Sequence, residues 1–518
     1  MKVITLTICL LMFSVSQMRG ETLREAVIRM MEFEPELNAV EYDTLSSKED
    51  QKIARSGLMP QVGMDGSSGY SQRDRTTDGL VRSGDTLLSR QLGVSVRQLL
   101  YDGGTTHNQA KASRNAFLSQ QYLEKSQIEM RVVDLAEVYM ELIRADRQIA
   151  LAEQNVENHR RMRDMLQERA NAGGSRADVA LVHGRLGLAT NSLATQKLSK
   201  RSAEARFRRL TGNLPGKITN PGLPRIGNSI SDIDISNNFN YLAAAEALEA
   251  AQHRAKATNG INAPKIYFDA GVTRGEDSIG VSGQDNETRA LITGSWELFK
   301  GGYNEAQKKR EHYQVGKFEE LLRAAELERE YQLENAWNER EGSFSSIDAL
   351  TKYSTELSSV VDDYSEQFRV GRQELLNILD VQSEFYNASS QLLDARFDQE
   401  TNAYRIAGIQ GRATMFILGK EGYEKHFGGK ESYIATPVDQ APFNVDPDNR
   451  VPVTQTDLMK GRFDTDGPAA DHEDLHNKYY VEREQLPIVP VANARPKGKF
   501  FGLFNRSDSN SSRLPIFK

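Results

Sequence analysis

The chain is poor in the side chains that build thick hydrophobic cores. Hydrophobic residues make up 38% of its 518 residues, and aromatic residues make up 8%. A chain of this length would usually divide into about three compact domains, each with a core of its own. The composition therefore argues against several thick cores.

The chain also has almost no cysteine and no excess of positive charge. Its only cysteine, Cys9, lies in an N-terminal apolar run, where Ile8 is too bulky for a lipoprotein cleavage site. We therefore expect no lipid anchor, disulfide or thiol chemistry in the mature chain. The formal net charge of −7 provides no basic field, which argues against nucleic-acid binding.

Long apolar runs are missing after residue 20. Residues 1–20 have the pattern of a secretory signal peptide, with Lys2 before the apolar run and small residues at the two candidate cleavage sites, Ser16 and Gly20. No later segment approaches the roughly eighteen uninterrupted apolar residues that a membrane-spanning helix requires. We expect an exported chain, and any crossing of a membrane would have to use strands.

The sequence contains one long internal duplication, between residues 58–101 and 262–302. Each copy has a proline at a predicted strand start and two glycines at a predicted strand-to-helix turn. These landmarks are Pro60, Gly103 and Gly104 in the first copy, and Pro264, Gly301 and Gly302 in the second. A spacing of about two hundred residues is too long for a solenoid unit and indicates a supersecondary block copied once.

Two stretches in each copy alternate between apolar and polar residues, and each is about as long as a tilted strand through a bilayer. The predicted faces are Val62, Met64, Gly66, Ser68 and Tyr70; Leu88, Arg90, Leu92, Val94, Val96 and Gln98; Ile266, Phe268, Ala270 and Val272; and Ala290, Ile292, Gly294, Trp296 and Leu298. The linkers 72–87 and 274–288 are predicted to be polar loops. The same alternation also fits two soluble hairpins.

The helices favour the membrane interpretation. Thr105 to about Asn171 and Tyr303 to about Phe368 contain no proline, which predicts two rods on the order of 100 Å long. A seven-residue repeat in the first rod indicates a coiled-coil seam, formed by Leu135, Leu142, Ile149 and Val156. Glycine-bearing turns follow both rods. Shorter helices are predicted before the strands, at 22–55 with a break at Pro35 and at 239–259, and after the turns, at 177–210 and 375–418.

These patterns divide the chain into five parts. A signal peptide occupies residues 1–20, and the first structural repeat occupies 21–211. A linker rich in proline and glycine covers 212–236, and the second repeat covers 237–419. Residues 420–518 are predicted to be a low-complexity, mostly disordered periplasmic tail.

Four strands cannot close a barrel, and a membrane does not tolerate open sheet edges. Several chains must therefore combine their strands. Three copies would supply twelve, an even number within the range of known outer-membrane barrels.

Two motifs of the second repeat, Trp296 to Gly302 and Phe368 to Gln382, resemble the TolC-type outer membrane factor family, as does the strand that ends in Tyr101-Asp102-Gly103-Gly104. The resemblance covers roughly residues 22–418. It implies a mixed α and β membrane protein: a homotrimer with a twelve-stranded outer-membrane barrel that continues into a long periplasmic α-helical barrel. It also implies docking to a periplasmic adaptor and an inner-membrane transporter, with drugs, other small molecules or unfolded polypeptides as cargo.

The resemblance also points to a gate at the periplasmic tip. Asp380 matches an acidic position that lines the closed entrance, where three carboxylates would form a cation-attracting ring. A solvated helix carboxylate is the simpler interpretation. Asn377 matches a second acidic position of the family, so the ring is weaker here.

A charged latch of the family is altered in this chain. Asp178 matches an acidic residue that relatives tie to an arginine and a tyrosine, but those two positions hold Gln373 and Phe368. Arg369, Arg372 or Arg176 would have to substitute for the missing arginine; a solvated surface arginine is the alternative.

One enzyme-like motif stands in the tail. His472-Glu473-Asp474-Leu475-His476 matches the zinc-hydrolase pattern, but it lies among prolines without hydrophobic periodicity. We interpret it as a chance match, and we expect no enzyme activity, metal or cofactor. A soluble periplasmic coiled-coil scaffold or an adaptor protein remains the alternative to an outer-membrane duct.

Overall fold

The computed structural model describes residues 21–72, 74–77, 80–83, 86–277 and 282–427. The predicted signal peptide, the zinc-hydrolase motif and residues 428–518 lie outside these ranges. The described helices are α1 Leu23–Phe33, α2 Pro35–Ser56, α3 Thr105–Asn171, α4 Arg176–Thr211, α5 Phe239–Asn259, α6 Tyr303–Arg369, α7 Leu375–Ile409 and α8 Ala413–Phe427.

The two predicted rods are confirmed. Helices α3 and α6 each contain 67 residues, which corresponds to about 100 Å. The break at Pro35 is also confirmed, because α1 ends at Phe33 and Pro35 begins α2. Within the described ranges, no helix has both the length and the apolar character needed to cross a membrane.

The strands are β1 Gln61–Ser71, β2 Asp74–Thr77, β3 Leu80–Ser83, β4 Leu87–Tyr101, β5 Lys265–Glu276 and β6 Gln284–Ser295. Four of them form one antiparallel sheet in the order β1-β4-β5-β6. The sheet thus joins the two repeats through β4 and β5. Pro60 and Pro264 stand directly before β1 and β5, as predicted.

The first interstrand linker was wrongly predicted to be a loop throughout, because β2 and β3 form a short hairpin of their own. Thr77 pairs with Leu80, and the intervening sequence is Asp78-Gly79. This dipeptide is a strong hairpin signal that the prediction overlooked.

The predicted alternation is confirmed by the register of the sheet. Val94 pairs with Val272, and Val62 pairs with Val96, so the predicted apolar residues share one face. The last strand ends earlier than predicted, at Ser295. Trp296 lies beyond it and donates a hydrogen bond from Nε1 to the Asn262 carbonyl at 2.9 Å.

The main helical core lies where α1, α3, α4, α7 and α8 meet. It includes Leu135, Leu142, Phe207 and Leu418, all buried. Helix α7 ends at Ile409 rather than continuing to Leu418, since Gly411 adopts a left-handed conformation with φ +69°. Helix α8 is kinked at Gly419, whose backbone is not helical (φ 71°, ψ 167°), and its second part extends past the predicted start of the tail to Phe427.

Candidate functional site

The end of the molecule far from the sheet is formed by two helix-to-helix turns. Residues 172–175 join α3 to α4, and residues 370–374 join α6 to α7. Gly173 and Gly371 have φ values of +99° and +75°, a region that costs free energy for other residues. Ser175 then caps α4, because its Oγ accepts a hydrogen bond from the Asp178 backbone N–H at 3.3 Å.

A small hydrophobic cluster holds the two turns together. We call it the tip cluster, and its buried members are Leu166, Val182, Phe368, Leu375, Ile378 and Leu379. Phe368 is 7% exposed, and the guanidinium of Arg169 lies 5.0 Å from the centre of its ring. Within one chain, Phe368 is therefore a packing residue of the tip.

The carboxylate of Asp380 forms an ion pair that sequence analysis missed. Arg185 Nη2 lies 2.6 Å from Asp380 Oδ1 and joins α4 to α7. The Asp380 side chain is 51% exposed and that of Arg185 is 28% exposed. The pair therefore links the two repeats at the tip and still leaves the carboxylate open to water.

The other predicted tip residues form local contacts. Arg369 pairs with Glu366 on its own helix, and the Asn377 side-chain amide donates to Gln373 Oε1 at 3.3 Å. Across the described part of one chain, no ion pair joins Asp178 to Arg176, Arg369 or Arg372. The substitute latch stays a prediction, because a latch that joins neighbouring chains would not be seen in the structure of a single chain.

A buried histidine lies next to this network. His159 is 4% exposed, and its Nδ1 has no hydrogen-bond partner among the described residues. Burial lowers the pKa of His159, and the nearby charge of Arg185 lowers it further. The imidazole is therefore held neutral beside the Arg185–Asp380 pair.

At the other end of the molecule, the two faces of the sheet differ in chemistry. The apolar face is exposed: Val62 is 72% exposed and Ile292 is 74% exposed. On the opposite face, Arg97 Nε donates to Asp269 Oδ1 at 2.7 Å, and the hydroxyl of Thr293 donates to the same carboxylate. The edge strands β1 and β6 have no further strand beside them in the described chain.

The predicted strand-to-helix glycines all have left-handed backbones, with φ between +59° and +81°, but their surroundings differ. A Cβ on Gly103 would lie 2.5 Å from the Ala263 Cβ and 2.7 Å from the Gly260 Cα. A Cβ on Gly301 or Gly302 would meet nothing within 4 Å. The first turn is thus packed inside the chain, whereas the second is open.

No group of three or more metal-ligating side chains occurs among the residues that the structure describes.

The chain is similar to proteins of known class. The sequence profile of the family described as outer membrane efflux protein matches residues 30–213 and 232–412. The chain is 23% identical over 406 residues to the outer membrane efflux protein BepC of Brucella suis biovar 1 (strain 1330), covering 77% of this chain and 87% of BepC. It is 21% identical over 397 residues to the outer membrane protein TolC of Escherichia coli (strain K12), covering 73% and 79% of the two chains.

A solved structure has a similar fold. The outer membrane protein VceC of Vibrio cholerae matches with a TM-score of 0.68 at 12% identity, covering 76% of this chain and 96% of VceC.

Proposed function

The chain belongs to the outer membrane efflux protein family and is an outer membrane protein, and we propose that it is the exit duct of an export assembly. In this proposal three identical chains enclose one water-filled path. The sheets form a twelve-stranded barrel in the outer membrane, and the helices form a tube in the periplasm. The protein performs no chemical step; it passes cargo received from an inner-membrane transporter through a periplasmic adaptor.

The two-faced sheet with open edges is the observation that supports this proposal best. Its apolar face is exposed in the single chain, whereas its opposite face carries the Arg97–Asp269 ion pair. Lipid would cover the apolar face, and water in a lumen would solvate the polar face. The unpaired backbone groups of β1 and β6 would be intolerable in a bilayer unless another sheet paired with them.

The duplication indicates how neighbouring sheets would pair. The hairpins of the two repeats have equivalent registers, since Gln61 pairs with Arg97 and Lys265 pairs with Ser295. Between the repeats, Val94 of β4 pairs with Val272 of β5. When Gly103 is aligned with Gly301, and Pro60 with Pro264, the equivalent contact joins Ile292 of β6 to Ser68 of β1 in the next chain.

Cysteine cross-linking tests this pairing directly. The double variant Ser68→Cys/Ile292→Cys should form covalent dimers and trimers when oxidised in outer membranes. The matched control, Val94→Cys/Val272→Cys, should form a disulfide within one chain and migrate as a monomer on a denaturing, non-reducing gel. The proposal is wrong if the control is oxidised but the Ser68/Ile292 variant remains monomeric, with neighbouring register pairs equally unreactive.

The tip is the proposed gate. The turns at 172–175 and 370–374 would converge around the axis, with Asp380 of each chain facing the entrance and the neutral Asn377 beside it. The Arg185–Asp380 pair and the tip cluster hold α4 to α7. An adaptor that binds the open packing more tightly would shift the tip from closed to open.

Cargo is the least determined part of the proposal. The named relatives include an efflux protein and TolC, and a wide duct could pass small molecules or unfolded polypeptides. A deletion strain should be tested for antibiotic sensitivity and for loss of secreted polypeptides. Antibiotic sensitivity alone would indicate efflux, and loss of secretion alone would indicate a type I secretion route. If both phenotypes are missing, the duct is not the required exit for either class.

A further inference from the structure

A buried carboxylate on α3 holds the start of the last described helix. Glu129 is 5% exposed, and both of its carboxylate oxygens lie 3.2 Å from the backbone nitrogen of Thr414, which donates to them. Thr414 is the second residue of α8. Backbone N–H groups in the first turn of a helix have no partner within that helix, so Glu129 supplies an acceptor from elsewhere in the fold.

The charge of this carboxylate is not balanced by an ion pair in the described part of the chain. Within the described residues, no lysine or arginine forms an ion pair with Glu129. The charged groups of the packed elements have other partners or positions. Arg405 of α7 pairs with Glu137 and Glu339, and Lys125 of α3 lies over the rings of Tyr122 and Phe239.

Asp134 of α3 and Glu339 of α6 line a cavity together with Glu129, and two further titratable groups belong to α1 and α8. Arg24 of α1 approaches Gly422 of α8. Tyr423 of α8 faces Glu129, and its pKa rises to about 12 through burial and then through the charge of that carboxylate. The site therefore contains an acid and a phenol but no compensating positive charge.

The neutral form of Glu129 favours the docked state of α8. Burial raises the pKa of Glu129 from its usual 4.5 to about 7, although hydrogen bonds from Thr414 and Ala413 lower it. If α8 detached and Glu129 became solvated, the pKa would return to its ordinary value. The stabilisation of the docked state is fully present below pH 4.5 and is lost as the pH rises to about 7.

From this geometry we propose that Glu129 is a titratable clamp, which holds the N-terminal end of α8 against α3 in its neutral form and loosens it in its ionised form. Helix α8 contacts α1, α3 and α7 and leads directly into residues 428–518. The clamp thus gives the C-terminal end of the described fold a pH-dependent attachment. This inference is independent of the proposed duct.

Hydrogen exchange of the full-length protein in detergent tests the clamp. Protection of the α8 amides, corrected for the intrinsic exchange rate, should fall on the order of a hundredfold between pH 4.5 and pH 8 relative to the middle of α3. In Glu129→Gln, which stays neutral, this relative protection should not change with pH. Glu168→Gln, an exposed acid on the same helix, is the matched control and should behave like the unmodified protein.

A second measurement does not depend on how well the glutamine variant folds. Infrared difference spectra of the unmodified protein, with glutamate labelled by carbon-13, should show one glutamic acid carbonyl that titrates near neutral pH. The clamp is refuted if every glutamate has ionised by pH 5.5. It is equally refuted if the α8 amides of the unmodified protein and of Glu129→Gln have the same pH dependence.

Discussion

The two long helices of the duplicated chain have equal length but different surroundings. Helix α3 packs against α2, α4, α5, α7 and α8, whereas α6 packs mainly against α5 and α7. Buried residues occur along most of helix α3, from Ala110 to Leu166. The buried residues of α6 are Glu311, Leu333, Ala336, Ser354, Leu357, Ser358 and Phe368, and several of its large side chains are exposed: Tyr303, Tyr313, Leu321, Leu327, Tyr331, Phe344 and Tyr353.

A single chain therefore buries much of the long helix of its first copy but leaves most of the long helix of its second copy exposed. Helix α5 of the second copy covers the start of α3, and the described residues contain no third copy that would cover the start of α6. The turns repeat this asymmetry, because Gly103 is packed against Gly260 and Ala263 while Gly301 is open. In a closed ring of identical chains, α2 of the next chain would occupy the place that α5 occupies in the first copy.

Alanine substitutions at the two strand-to-helix turns are expected to change stability most, and by different amounts. Gly103→Ala should cost about 3–5 kcal/mol, because a left-handed alanine is strained and its Cβ would collide with Gly260 and Ala263. Gly301→Ala should add only strain within the chain, about 1–3 kcal/mol. If the next chain covers Gly301, however, this variant should also lose trimers.

Folded yield and trimer content separate these two results. Gly103→Ala should reduce the yield of folded protein, as measured by resistance to protease. Gly301→Ala should give folded chains that fail to run as heat-dissociable trimers in mild detergent. A Gly301→Ala protein with unchanged trimers would argue against the ring of chains that we infer from the internal duplication.

The next effect concerns two exposed tyrosines. Within the chain, Asn115 of α3 donates to Glu246 of α5 at 3.1 Å. The repeat alignment places Tyr313 of α6 and Tyr42 of α2 at the equivalent positions, and they are 73% and 72% exposed. We therefore expect them to pack against each other between neighbouring chains.

A double-mutant cycle on trimer dissociation measures that contact. Tyr42→Ser and Tyr313→Ser should each lower the temperature at which the trimer dissociates, and their coupling should be about 0.5–1.5 kcal/mol. Asn115→Ala, which removes only a contact within the chain, serves as the control. Strict additivity of the two tyrosine variants would contradict the proposed neighbour contact.

The sequence predicted the parts of the fold that local signals specify. Prolines and left-handed glycines mark where strands and helices begin or end, so the starts of β1, β5, α3 and α6 followed from Pro60, Gly103 and their repeats. No such signal marks the facing ends of β5 and β6, and both strands extend into the predicted loop 274–288, β5 to Glu276 and β6 from Gln284. Alternation identified the apolar face, because the side-chain period of a strand is fixed. The short β2–β3 hairpin was missed even though the Asp-Gly dipeptide in the sequence is a local signal.

The contacts at the tip could not be predicted in the same way. Arg185 and Asp380 are 195 positions apart. The family resemblance singled out Asp380, but nothing in the sequence near either residue indicates that the two side chains form a pair. The burial of His159 and the role of Glu129 likewise depend on which helices pack against α3. Such features arise from packing between repeats, which periodicity within one helix does not encode.

The weakest change is expected at this tip, in the open population of the resting channel. Here the pair Arg185–Asp380 joins α4 of the first copy to α7 of the second. An ion pair this exposed contributes roughly 0.2–1 kcal/mol, so either Arg185→Ala or Asp380→Ala should raise the open population of the resting channel only a few-fold. The two variants differ in the charge that they leave at the tip. Arg185→Ala keeps the carboxylate, so cation block of the channel should persist, whereas Asp380→Ala should weaken it. Arg369→Ala breaks only the local pair with Glu366 and should change neither property.

Conductance in planar bilayers, measured with and without a divalent cation, tests both predictions. Undiminished block in Asp380→Ala would remove Asp380 from the entrance. Unchanged opening in Arg185→Ala would show that the tip cluster alone holds the two copies together.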